Sequence, residues 1–249
     1  EVYLTKGTGE GTDYGIANNK TCYNKTPWYQ SRGNKIQVTL EEGISKIGNY
    51  TFYGCTGMQF VELPTSLISI GNGAFYGCTG MVGNINVGSN VAKIGESAFD
   101  GCTGLTGKVV IPQGVTIISN KAFQNTKIEE LVIHENVTSV GINAFSNCNA
   151  LTKLTIPISL NGGSDDGFSR CTGITEVYLT KGTGEGTDYG IANNKTCYNK
   201  TPWYQSRGNE TKIIISKDIT LIGNYTFYNL TNATFYYEGS ESEWANVSI

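Results

Sequence analysis

Two hydrophobic motifs alternate along the chain and return about every two dozen residues. The first is a triplet with apolar ends: Val61-Glu62-Leu63, Ile85-Asn86-Val87, Val109-Val110-Ile111, Leu131-Val132-Ile133, Leu154-Thr155-Ile156 and Val177-Tyr178-Leu179. Side chains two apart on a strand share a face, so each triplet predicts a short strand with both ends turned toward one core. The second motif has the form I-G-x-x-A/T-F-x-x-C-x-x-L and is found at 47–58, 70–81, 94–105 and 140–151. Looser copies occupy 118–128, 162–174 and 222–232. Phenylalanines 52, 75, 99, 123, 145 and 168 are separated by 23, 24, 24, 22 and 23 residues.

A fixed period of this size marks a solenoid in which each turn buries its apolar side only against its neighbours. The expected architecture is a strand-rich α/β repeat with a parallel sheet and little helix, because the A-F-x-x-C stretch holds about one helical turn. Stacked turns align the phenylalanines into an aromatic column. Glycine before Ala-Phe is expected to supply φ > 0 for a tight turn. A second, longer period is superimposed: residues 1–34 recur unchanged at 176–209, and IGNYTFY at 47–53 recurs at 222–228. Within the copied block, Tyr23 and Tyr198 are the expected occupants of the phenylalanine slot. The whole of 1–249 then reads as one solenoid of about nine repeats, roughly 40 Å long at ~4.8 Å per strand. Residues 1–34 form a partial block, 233–249 a C-terminal cap, and the duplication suggests a piece of a longer array.

The repeating residues resemble the BspA-like (Treponema pallidum-type) leucine-rich repeat family. The resemblance is clearest at LTGKVVIPQGVTIISNKAF (105–123) and LTKLTIP (151–157). The TPWY segments at 26–29 and 201–204, and YYEGSESEW at 236–244, are similar to family variants. Departures are Ser119 in the glycine slot, His134 and Gly88 in the proline slot, and no cysteine at 126 or 230. The resemblance implies a leucine-rich repeat solenoid, extracellular or at the cell surface, that binds protein or adheres.

Composition narrows the function further. Lys+Arg 18 against Asp+Glu 21 gives a net charge of −3, which offers no basic footprint for nucleic acid or anionic lipid. No apolar run exceeds three residues, far below the ~20 a spanning helix requires, so no membrane insertion is expected. Seven cysteines follow the repeat period and read as small buried hydrophobes rather than a disulfide set. His134, the single histidine, sits at a strand end and reads as a solvated turn residue. GTGEG at 7–11 and 182–186 lacks the Lys-Ser/Thr of a phosphate loop, and the pairs Glu41-Glu42, Glu129-Glu130 and Asp165-Asp166 read as solvated charges. The N-x-S/T triplets at Asn49, Asn136, Asn229 and Asn246 follow from an Asn- and Thr-rich composition. No catalytic constellation, metal site or cofactor is expected.

The residues between the buried strand positions are the candidate binding surface, since a parallel sheet aligns them into columns. One column is Phe60, Asn84, Lys108, Glu130, Lys153 and Glu176. The other is Glu62, Asn86, Val110, Val132, Thr155 and Tyr178. The alternating charges read either as a self-satisfied ladder or as a surface that reads a ligand. Aromatics Tyr14, Trp28 and Tyr29, with their copies Tyr189, Trp203 and Tyr204, form a second candidate, or else pack over the solenoid edge. The expectation is a monomeric, non-enzymatic binding or adhesion module for a protein ligand such as a host extracellular or surface protein. Alternatives are the targeting module of a larger surface enzyme or carbohydrate-active protein, and a structural stalk.

Overall fold

The computed structural model describes residues 2–4, 26, 28–59, 62–158, 160, 167–182, 201–223, 226–228 and 230–248. Its strands, in chain order, are β1 (Val2–Leu4), β2 (Val38–Leu40), β3 (Lys46–Ile47), β4 (Ser69–Ile70), β5 (Lys93–Ile94), β6 (Lys108–Val110) and β7 (Ile117–Ile118). They continue as β8 (Glu130–Val132), β9 (Ser139–Val140), β10 (Lys153–Pro157), β11 (Glu176–Thr180), β12 (Thr211–Ile215) and β13 (Ala233–Tyr237). All pairing is parallel, as a coil that returns to the same place each turn requires. Six strands form the main sheet in the order β13-β12-β11-β10-β8-β6, while β1-β2, β3-β4-β5 and β7-β9 form three smaller sheets. The α-helix among the described residues is α1 (Glu241–Trp244), a single turn. Ser240 starts it: its hydroxyl accepts the Glu243 N–H, and the Glu243 carboxylate accepts the Ser240 N–H.

An aromatic column runs through the buried core. Phe52, Phe75, Phe99, Phe123, Phe145 and Phe168 stack with ring centroids 5.1–5.6 Å apart, and the first five are at most 1% exposed. Main-chain bonds hold the rings at this spacing. The N–H groups of Phe52, Phe75, Phe99 and Phe123 donate to the carbonyls of Ala74, Ala98, Ala122 and Ala144 one turn on, at 2.7–2.8 Å. The thiols of Cys78, Cys102, Cys148 and Cys171 donate back to the phenylalanine carbonyls of the turn before, at 3.0–3.3 Å. Cys55, Cys78, Cys102, Cys148 and Cys171 are buried and free, consistent with their reading as core residues. Cys22 and Cys197 lie outside the described residues.

Three expectations need correction. Tyr23 and Tyr198 are outside the described residues, and the ring that stacks on Phe52, at 5.2 Å, belongs to Trp28. Its copy Trp203 packs against Phe227 at 6.0 Å. Both indoles are buried, and each donates its N–H to a main-chain carbonyl, Thr51 at 2.9 Å and Thr226 at 3.0 Å. An indole keeps the column apolar while satisfying its one donor, so it extends the stack where a repeat of unusual length has no phenylalanine.

The glycine before Ala-Phe does not serve by adopting positive φ. Gly71, Gly95 and Gly141 are absent from the left-handed region, which is instead entered two residues later by Tyr50, Gly73, Ser97, Lys121 and Asn143. What excludes a side chain is proximity: a Cβ on Gly71, Gly95 or Gly141 would lie 2.5–2.6 Å from the main-chain nitrogen of Asn49, Asn72 or Asn120 in the turn before.

The triplet 85–87 and the described part of the triplet 61–63 do not form ladder strands. Residue 61 lies outside the described residues, and 62–63 and 84–87 carry no strand. Ile85 and Val87 are still buried on either side of exposed Asn86, so the packing alternation survives without strand pairing. Gly83 and Gly88 have φ of 99° and 87°, outside the extended range, and bracket the second of these segments.

Candidate functional site

Each main-sheet strand turns one set of side chains inward and leaves the other to solvent. The inward set includes Val109, Leu131, Leu154, Val177 and Ile213, all at most 1% exposed. Register then fixes the outward columns. Lys108 lies beside Glu130, Glu130 beside Lys153, Lys153 beside Glu176, Glu176 beside Lys212, and Lys212 beside Thr234. The Lys108 ammonium is 2.7 Å from the Glu130 carboxylate, and the Lys153 ammonium 3.9 Å from Glu176. Placed one strand apart, like charges would repel, so the alternation removes that cost. Exposed pairs of this kind contribute about 0–1 kcal/mol each.

Val110, Val132, Thr155 and Tyr178 form the second column, continued by Ile214 and Tyr236. Val110 and Tyr236 are 40% and 49% exposed, giving an apolar stripe beside a neutralised charge ladder. Tyr178 is tied down: its hydroxyl donates to Glu238 at 2.6 Å, and this bond, with burial, raises its pKa. The Lys212 ammonium lies 5.2 Å from the centre of the Tyr236 ring. Beside it, an open groove of about 680 Å³ is lined by Thr175, Glu210, Lys212, Asn232, Thr234 and Tyr236, among others.

Eight of the ten sequence-predicted residues are therefore aligned as drawn: Lys108, Glu130, Lys153, Glu176, Val110, Val132, Thr155 and Tyr178. Glu62 is exposed but belongs to no strand, and Phe60 lies outside the described residues. Lys212, Ile214, Thr234 and Tyr236 were missed because the copied block inserts a long stretch before 211, hiding the next repeat from a search at the regular period.

The second candidate surface loses its indoles, since Trp28 and Trp203 are core residues. What reaches the surface is a pair of Arg-Tyr contacts, Arg32 over the Tyr29 ring at 4.1 Å and Arg207 over Tyr204 at 4.2 Å. Tyr14, Tyr189, GTGEG at 7–11 and Asp165-Asp166 lie outside the described residues. Burial pushes the Cys55 and Cys102 thiols up to about 12, the opposite of what a nucleophile needs. Among the described residues no group of three or more His, Cys, Asp or Glu is placed to hold a metal ion, and no helix is long and apolar enough to cross a membrane.

No curated protein matches the chain. Several solved structures do. A leucine rich cell surface protein from Faecalibacterium prausnitzii A2-165 is 19% identical over 87% of this chain and 85% of that one, with a TM-score of 0.39. The T. pallidum leucine rich repeat protein is 23% identical over 64% and 65%, with a TM-score of 0.44. A leucine-rich repeat protein from Eubacterium ventriosum ATCC 27560 is 16% identical over 94% and 77%, with a TM-score of 0.46. The BspA type leucine rich repeat region matches in six copies, over residues 26–141, 81–201 and 196–236, and the chain belongs to that family.

Proposed function

We propose that this chain is a non-catalytic protein-binding module that adheres at a cell surface through the outward face of its main sheet. The observation that carries this reading is the register-locked display. Six parallel strands present an apolar stripe from Val110 to Tyr236 beside a ladder of opposite charges, with spacing set by the core rather than by the side chains themselves. Such a surface offers an apolar centre, polar edges and little side-chain freedom to lose, which suits a protein partner. Family membership supports the same reading, because leucine-rich repeats generally mediate protein interactions.

The test is capture of extracellular matrix and host surface proteins on the immobilised chain, followed by outward-face variants. Val132→Asp with Tyr236→Ala should weaken binding at least tenfold while circular dichroism and the unfolding midpoint stay close to wild type. Retained affinity in that double variant would exclude this face, and turnover of any substrate by the isolated chain would exclude the non-catalytic reading.

A further inference from the structure

On β6, β8, β10 and β11 the first outward column carries one charge per strand, in the order Lys108, Glu130, Lys153, Glu176. The second column places Val110, Val132, Thr155 and Tyr178 on the same strands. These four strands are interior to the array: β12 pairs with β11, and a bridge from Leu105 to Gly83 continues the ladder before β6. The four charged side chains keep 35–57% exposure, and Val110 is 40% exposed.

An alternating row of four charges has opposite signs at its two ends, so reversing the row sets every charge against its opposite. Lys108 then meets Glu176, and Glu130 meets Lys153. Reversed in the same way, the apolar stripe sets Val110 against Tyr178 and Val132 against Thr155. A small side chain thus faces the large ring at each end, and two β-branched side chains meet in the middle. The Tyr178 hydroxyl bond to Glu238, at 2.6 Å, holds that ring in place before any partner arrives.

We infer that the partner of this face is the same face on a second copy of this chain, about a two-fold axis parallel to the strands and above the gap between β8 and β10. The inference rests on the proposed function, because it names the partner of the surface assigned there. Such an axis keeps strand direction and reverses the order of turns, so each column faces its own counterpart and the two solenoids run antiparallel. The sheets stack face to face at the ~10 Å usual for packed sheets, a gap that Lys and Glu side chains span. Flanking charges fit as well. Glu129 falls opposite Thr152, and Lys212, one strand beyond Glu176, falls opposite the segment 83–88, which holds no charged residue. The contact is isologous and closes at two copies. It departs from the monomer expected from the sequence.

The experiment is sedimentation of the 249-residue chain, alone and as Lys153→Glu and Glu130→Lys variants. The matched face is four strands wide at ~4.8 Å each, a small and weak contact, so the concentration series extends to about 1 mM. Wild type should approach twice the monomer mass. Each variant alone should raise the dissociation constant at least tenfold, because positions 130 and 153 of the two copies then carry like charges at two places. An equimolar mixture of the two variants should recover the dimer, because every facing pair is again opposite. Lys93→Glu makes the same charge change on β5, in a smaller sheet, and should leave the dimer intact. A wild-type chain that stays monomeric at the highest concentration, dimers indifferent to Lys153→Glu, a mixture no tighter than its components or open-ended larger species would each overturn the inference. A monomeric chain that still captures other proteins through this face would overturn the inference alone and leave the proposed function standing.

Discussion

Replacing Phe99 by alanine tests whether the aromatic column is what holds consecutive turns together. The Phe99 ring is fully buried, 5.3 Å from Phe75 and 5.1 Å from Phe123, with planes 5° and 14° apart. Its main-chain N–H bond to Ala122, at 2.8 Å, survives the substitution, so only the side chain is removed. Truncating a buried phenylalanine costs about 3–5 kcal/mol, the range set by how far the cavity collapses. Collapse is resisted here, because the rings above and below are each held by their own interturn hydrogen bonds. The upper half of the range is therefore expected. Phe99→Leu refills most of the volume without a ring and should cost about 1–3 kcal/mol. Urea unfolding is the assay, with Trp28 and Trp203 as reporters of separate regions in Trp244→Phe backgrounds that keep one or the other. A repeat array couples through nearest neighbours, so a cavity at Phe99 should also pull the two reporters' midpoints apart. A loss below about 1 kcal/mol for Phe99→Ala, with the midpoints still coincident, would refute the idea that stacking carries the interturn interface.

Gly95→Ala should destabilise by about 1–3 kcal/mol in the same assay, because the new Cβ would sit 2.5 Å from main-chain atoms of Gly71 and Asn72, which no rotamer change relieves. The Glu42 carboxylate accepts N–H bonds from Thr65 and Ser66, and these hold its pKa below the ordinary 4.5. A carboxylate depressed in the folded state stabilises above its unfolded pKa, and that contribution disappears as pH falls through the folded value. Glu42→Gln should therefore lose less stability than wild type between about pH 5 and pH 3, as read from unfolding midpoints at each pH. Buried thiols resist alkylation: peptide mapping after iodoacetamide at pH 8 should find Cys55, Cys78, Cys102, Cys148 and Cys171 unmodified in the native chain and modified in urea.

Phenylalanine spacing revealed the column and the core because both depend only on one bulky ring per turn. Cysteine placement was legible for the same reason: a residue locked to the period is packed by the period. Less visible were features set by contacts between turns. The glycine before Ala-Phe reads as a turn former, and only the main chain of the turn before, 2.5–2.6 Å from the missing Cβ, shows that closeness excludes a side chain. Ser119 occupies the same slot and donates its hydroxyl proton to Ile94 O at 2.6 Å, an accommodation the sequence does not announce. Trp28 and Trp203 read either as surface anchors or as rings packed on the solenoid edge, since an indole suits an interface and a core equally well, and burial settles which. The outward columns were found where the period is regular and lost at Lys212, Ile214 and Tyr236, where the copied block stretches one repeat.

The copied block has a consequence for how such a gene can change. Thr26, Trp28, Tyr29 and Arg32 make the same local contacts as Thr201, Trp203, Tyr204 and Arg207, so the seam after residue 34 and the seam after residue 209 are interchangeable. Recombination between the stretches that encode these two identical segments would excise residues 35–209 and join Asn34 to Glu210, placing Trp28 on Phe227 where Trp203 now packs. Array length is thus free to shrink or grow by whole cassettes, with no unmatched surface left at the join.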